Sequence, residues 1–155
     1  MNTYPKWEHL PDLELYLDQV LLYVNHVTGA ASFPDDKGLT ASMINNYVKH
    51  GHLDKPIKKK YNRKQVARLI VITALKNVFS IQKISQTLEM LTAGNHSDSA
   101  YNGFVACMNG EDTSQLPDVV VSACQTLQLY LQTQALVQEL QGGLSHDNSS
   151  DNEIE

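Results

Sequence analysis

The sequence predicts a mainly α protein, and three observations carry that expectation. Apolar residues recur at three- and four-residue steps over several stretches, the spacing that lines one face of a helix. No stretch reads as a clear long strand. Residues suited to helix starts (Thr40, Asn62, Ser80) and helix stops (Gly29, Gly51) punctuate those stretches. With 155 residues and 42% hydrophobic content, the chain has enough apolar material for one compact domain, or a small domain with an appendage.

The elements follow in order. Residues 12–27, DLELYLDQVLLYVNHV, carry Leu13, Tyr16, Leu17, Val20, Leu21, Val24 and Val27 at helical spacing, and Gly29 is a plausible stop. AASFPDDKG then reads as a loop broken by Pro34 and Gly38. LTASMINNYVKHG predicts a short second helix capped by Thr40 or Ser42, with Met43, Ile44, Tyr47 and Val48 as its apolar stripe. HLDKPIKKKY is an irregular or extended connector. A third helix is expected from about Arg63 to Val78, opened by Asn62 and Gln65 in capping-box spacing. Its Val66, Leu69, Ile70, Ile72, Thr73 and Leu75 face inward, and Arg63, Lys64, Arg68 and Lys76 stay solvated. Ser80 caps a fourth helix, IQKISQTLEML, with Ile81, Ile84, Leu88 and Leu91 on one side. GNHSDS is a polar break, and AYNGFVACMNG holds a brief helix. The last long helix starts at Pro117, tolerated at a first helical position, and runs to about Gln141. The tail GGLSHDNSSDNEIE is polar and acidic, the composition of a disordered segment.

Charge is distributed unevenly along these elements. Leu39 to Leu88 holds ten of the twelve Lys and Arg and a single acid, Asp54, a net +9 inside a chain of net −5. Such asymmetry points to a partner of opposite sign, and a polyanion such as double-stranded DNA is the first candidate. A helix fits the major groove and can present Asn to adenine edges and Lys to guanine edges. Asn45, Asn46, Lys49 and His50 are side chains of that kind on one short helix. Lys58, Lys59 and Lys60 sit together on the connector, placed to meet backbone phosphates. Thr40, Ser42 and Tyr47 on the helix, and Tyr61 and Arg63 beyond the lysines, complete the candidate DNA-binding set.

The same stretch resembles a known pattern. MINNYVKHGHLDKP is similar to the T-[LI]-R-Y-Y-x-x-x-G-L-[LI]-x-x-P signature of MerR-type regulators, with Ile44, Tyr47, Gly51, Leu53 and Pro56 in matching positions. YNRKQVARL and IVITALKNVFSIQKI resemble the segments that follow it in that family. Asn45 and Asn46 stand where the signature has Arg and Tyr, and Val78 stands where it has Gly. The resemblance implies a MerR-like winged helix-turn-helix with additional N- and C-terminal helices. Its recognition helix would lie at about 40–50 and its basic wing on the connector. The wording of residues 10–91 is also similar to a family of uncharacterised proteins of low-GC Gram-positive bacteria, a domain of unknown function. The expected organisation is an N-terminal helix and loop packing on the core (1–38), the winged helix-turn-helix (39–93), a C-terminal helical region (94–141) and a disordered acidic tail (142–155).

Other chemistries find less support in the residues. There is no GxSxG, no HExxH and no Gly-rich loop after a strand, so an enzyme is not expected. His50 and His52 lack further ligands at metal spacing, so neither metal nor cofactor is expected. Cys107 and Cys124 are outside any CxxC and read as small buried hydrophobes of an intracellular protein. No apolar run spans a membrane and the start lacks a signal peptide, so the expected location is cytoplasmic. The sequence names no small effector. The functional expectation is a sequence-specific DNA-binding transcription regulator. The competing reading is a protein-interaction module that uses the basic face and the near-uncharged last helix. That helix is apolar over a wider arc than one core needs, which predicts a homodimer through Leu127, Tyr130, Leu131 and Leu136.

Overall fold

The computed structural model describes residues 3–29 and 35–154, with side chains to residue 143. The predicted breaker Pro34 and the start of its loop lie outside the described residues.

The fold is mainly α and is organised around α3 (Arg63–Leu75). Its sequence, VARLIVITAL, is apolar on every side, the pattern of a helix surrounded by others. Val66, Leu69, Ile70 and Ile72 are at most 2% exposed. Burial of each such side chain contributes about 1.5–3 kcal/mol. Helices α1 (Leu17–Thr28), α4 (Ile81–Thr92) and α5 (Ser97–Met108) pack around α3, α2 (Ala41–Lys49) packs on α1, and α6 (Asp118–Ile154) packs on α5. Asn62 and Gln65 form the expected capping box at the start of α3, and Ser80 Oγ accepts the Lys83 N–H at the start of α4.

Several expectations are corrected. Helix α1 begins at Leu17, not at 12, because Leu15–Tyr16 form a short strand, β1. β1 pairs antiparallel with β2 (Lys60–Tyr61), with Leu15 opposite Tyr61 and Tyr16 opposite Lys60. That ladder takes up the backbone that an earlier helix start would need, and Gln19 Oε1 accepts the Tyr16 N–H as the helix opens. Helix α3 stops at Leu75, where Lys76 to Phe79 turn toward α4. Helix α5 starts inside the expected polar break. Its Asn102, and Asn109 just past its end, accept backbone N–H groups of Trp7 and Tyr4, and Tyr101 donates to the Pro5 carbonyl at 2.7 Å, which seals the N-terminal segment onto α5. Helix α6 continues to Ile154, through the segment whose composition suggests a disordered tail. No proline follows Pro117, so nothing interrupts its intrahelical bonds.

Two of the four cations expected to stay solvated on α3 are taken up by the fold. Arg68 donates to the His52 carbonyl at 2.6 Å, to Ser85 Oγ at 3.1 Å and to Glu89 at 3.0 Å, and its side chain is 16% exposed. Lys76 is 15% exposed and pairs with Asp36 at 3.5 Å.

Candidate nucleic-acid interface

Helix α2 is fixed at both ends before its faces are assigned. Asn25 of α1 bonds both backbone groups of Leu39, at 2.8 and 2.9 Å, and so anchors the entry to the helix. Thr40 caps the helix by accepting the Met43 N–H at 3.2 Å. At the far end Gly51 has φ 77, the left-handed position that glycine occupies without steric cost.

Ile44 and Tyr47 are buried at 0% and 6% exposure, and they set the rotation of α2 about its axis. Ser42, Asn45, Asn46 and Lys49 therefore fall together on the opposite side, at steps of three and four residues, and all are exposed. His50 follows, also exposed. No acid interrupts this face.

The segment after α2 is strapped to α3. Arg68 holds the His52 carbonyl, and Gln65 donates to the carbonyls of Asp54 and Lys55 at 2.9 and 3.1 Å. Leu53 is buried beneath it. The chain then turns sharply. Ile57 and Lys60 exchange both backbone hydrogen bonds at 3.0 Å around the pair Lys58-Lys59. Both lysines have positive φ, 52 and 67, as a two-residue type I′ hairpin demands. Glycine or asparagine usually fills such positions, since a left-handed backbone costs another L-residue about 1–2 kcal/mol. The connector, irregular or extended by sequence, is thus a tight hairpin with two exposed lysines at its tip, and its second strand, β2, joins β1.

Several candidate residues do not reach this surface. Tyr47 and Tyr61 are 6% and 4% exposed and belong to the core; burial pushes both phenols above their ordinary value. Thr40 is used as the helix cap. Lys60 lies over the Tyr16 ring at 5.3 Å and Arg63 over the Trp7 ring at 5.9 Å, so both cations are held against aromatic faces. Lys49, Lys55, Lys58, Lys59, Lys64 and Lys83 are exposed, and none forms an ion pair among the described residues.

The proposed dimer residues also divide. Leu127 is 2% exposed and is core, while Tyr130 and Leu131 pack partly against that core. Only Leu136, at 56%, is free, and with it stand Leu129, Val137 and Leu140. The spacing of these four along one helix was the available signal for a second apolar face. Cys107 and Cys124, remote in sequence, meet between α5 and α6; burial, and then the neighbouring Cys107, push the Cys124 thiol up. No group of three or more His, Cys, Asp or Glu suited to a metal occurs among the described residues.

A family model matches residues 5–104, from the N-terminal segment through most of α5, and its description is a domain of unknown function, DUF1836. The chain belongs to the DUF1836 family. No curated protein and no solved structure matches it. The DUF1836 match encloses α2, the hairpin and α3, and leaves α6 outside. No helix among the described residues of this DUF1836 protein is long and apolar enough to cross a membrane.

Proposed function

We propose that the protein is a cytoplasmic, sequence-specific DNA-binding regulator with a MerR-like winged helix-turn-helix. Helix α2 enters the major groove, and Ser42, Asn45, Asn46 and Lys49 face the base edges. The hairpin is the wing, and Lys58 and Lys59 at its tip meet phosphates beside the groove. One observation carries the reading: α2 keeps a polar, acid-free face exposed, and the hairpin that follows it has a tip of two lysines at positive φ. Left-handed non-glycine residues are retained mainly where the surrounding structure or function requires them. Two lysines in such a turn point to a requirement for charge at that tip.

A homodimer would present two such helices to the two halves of a symmetric site. The free apolar residues of α6, Leu129, Leu136, Val137 and Leu140, supply the self-complementary face for it. From Val119 to Gln138 the helix has no charged residue, so two copies meet without repulsion.

Titration with random duplex DNA at several salt concentrations tests the reading. The parent protein binds at low salt. Removal of Lys58 and Lys59 makes the dependence of log K on log salt shallower by about 0.9 for each phosphate no longer neutralised. Absence of duplex binding at low salt would reject it and favour an acidic protein partner for the same face.

A further inference from the structure

Helix α4 does not bury the whole of its apolar stripe. Ile84 is 4% exposed, whereas Leu88 and Leu91 remain half-buried. They line a groove of about 750 Å³ that runs between α4 and the first turns of α6. Val71 and Leu75 of α3 and Phe104 of α5 form its floor, and Val120 and Ala123 of α6 form the facing wall. This volume is typical of small-molecule sites, which are mostly apolar with a few placed polar groups.

We propose that this groove binds a small amphipathic anion, an apolar body with one carboxylate-type head seated on Arg68. The site goes beyond the DNA-binding reading and does not depend on it. Charged side chains of both signs border the groove: Lys64, Arg68 and Lys83 against Asp54, Glu89 and Asp118. Arg68 is the only one of these six that is not exposed. Its guanidinium is oriented by neutral oxygens, the His52 carbonyl at 2.6 Å and Ser85 Oγ at 3.1 Å. A longer contact to the Ser85 carbonyl, 3.4 Å, completes the frame. Its paired carboxylate, Glu89 at 3.0 Å, has a side chain 69% exposed. An ion pair with so exposed an arm contributes little and opens easily. A ligand carboxylate arriving with its tail in the groove replaces Glu89 on a cation already fixed in place. An arginine fork suits the two oxygens of such a head. A cationic ligand would find its carboxylates exposed at the rim and hydrated, away from the apolar floor.

Isothermal titration of the full chain with decanoate and with decan-1-ol tests the proposal, since the two share a tail and differ in the head. Decanoate is expected to bind about tenfold more tightly than the alcohol, the effect of one charge-assisted contact. Glu89→Gln removes the internal competitor and should tighten decanoate binding severalfold while leaving the alcohol unchanged. Ala123→Trp fills the groove from the α6 wall and should abolish binding of both. Arg68→Gln should erase the preference for the anion; should that variant not fold, the Glu89 and Ala123 variants still decide. No heat with millimolar decanoate overturns the proposal and leaves the groove to a protein segment. Equal affinity for the two ligands, indifference to Glu89→Gln, or binding that survives Ala123→Trp overturns it as well.

Discussion

Helices α2 and α3 are neighbours in one basic segment, and they use their charge in opposite ways. On α3 the guanidinium of Arg68 is turned inward onto the His52 carbonyl and Ser85, and Lys76, just past its end, is closed by Asp36. On α2 Lys49 stands free, and the hairpin that follows puts Lys58 and Lys59 at an exposed tip. A count along the chain treats these cations alike. The fold separates them, because α3 is surrounded and α2 is covered on one side only. Positive charge within reach of the core becomes a structural tie, and positive charge on the uncovered side remains available to a partner.

The sharpest break of this comparison exchanges the two kinds of cation. Arg68→Ala should lower stability by about 2–3 kcal/mol, since it strands a carbonyl and a hydroxyl that a charged donor had satisfied. Lys58→Ala with Lys59→Ala should change stability by less than about 0.5 kcal/mol through side-chain packing, because these side chains touch solvent. Urea unfolding reads both stabilities, and duplex titration reads the affinity that the lysine pair, and not Arg68, is expected to carry. If the two variants behaved alike in either assay, the division between structural and available charge would fail.

A next test stays on α2. Asn45→Ala and Asn46→Ala should each cost about 1–3 kcal/mol on a preferred duplex and little on random DNA. Neither should alter the unfolding midpoint, because both side chains are exposed and cap nothing. Loss of thermal stability without loss of sequence preference would move α2 into the structural class with α3.

The helices were legible from sequence where a local rule set them. Thr40, Asn62 with Gln65, Ser80 and Gly51 do what their residue types suggest, and the positions of α3 expected to face inward are all buried. The elements that were missed depend on partners far along the chain. β1 and β2 are two residues each, too short to show alternation, and they exist because Leu15 and Tyr16 meet Tyr61 and Lys60. The hairpin lacks the Gly or Asn that announces a type I′ turn. The turning inward of Arg68 required a carbonyl on one neighbouring segment and a serine on another. Leu127 and Leu136 are both apolar residues of one uncharged helix, yet nine residues put them on opposite sides of it, and only the side of Leu127 is buried. The groove is assembled from four helices, and no window of sequence contains it.

The hairpin tip offers a finer instrument, since there charge and backbone conformation are in conflict. Lys58→Asn with Lys59→Gly installs residues that accept positive φ, and should raise stability by about 1–2 kcal/mol. The same change removes two phosphate-binding charges and should make the salt dependence shallower. A stabilised protein with unchanged DNA affinity would mean that the lysines are there without a use for their charge.

The smallest expected effect lies on the consumed side, in α3. Thr73 is 4% exposed, and its hydroxyl has no hydrogen-bond partner among the described residues. A buried hydroxyl that lost its water and gained nothing in return is destabilising, whereas a methyl group in the same space is not. Thr73→Val keeps the branched shape and the volume, so packing around α3 is undisturbed. Stability should rise by about 1 kcal/mol, read as a higher urea midpoint at unchanged slope. DNA affinity should stay where it was, because Thr73 is buried and the exposed face of α2 and the hairpin tip are untouched by the change. A fall in stability would show that the hydroxyl does have a partner, and a change in DNA affinity would show that the core of α3 and the free face of α2 are coupled.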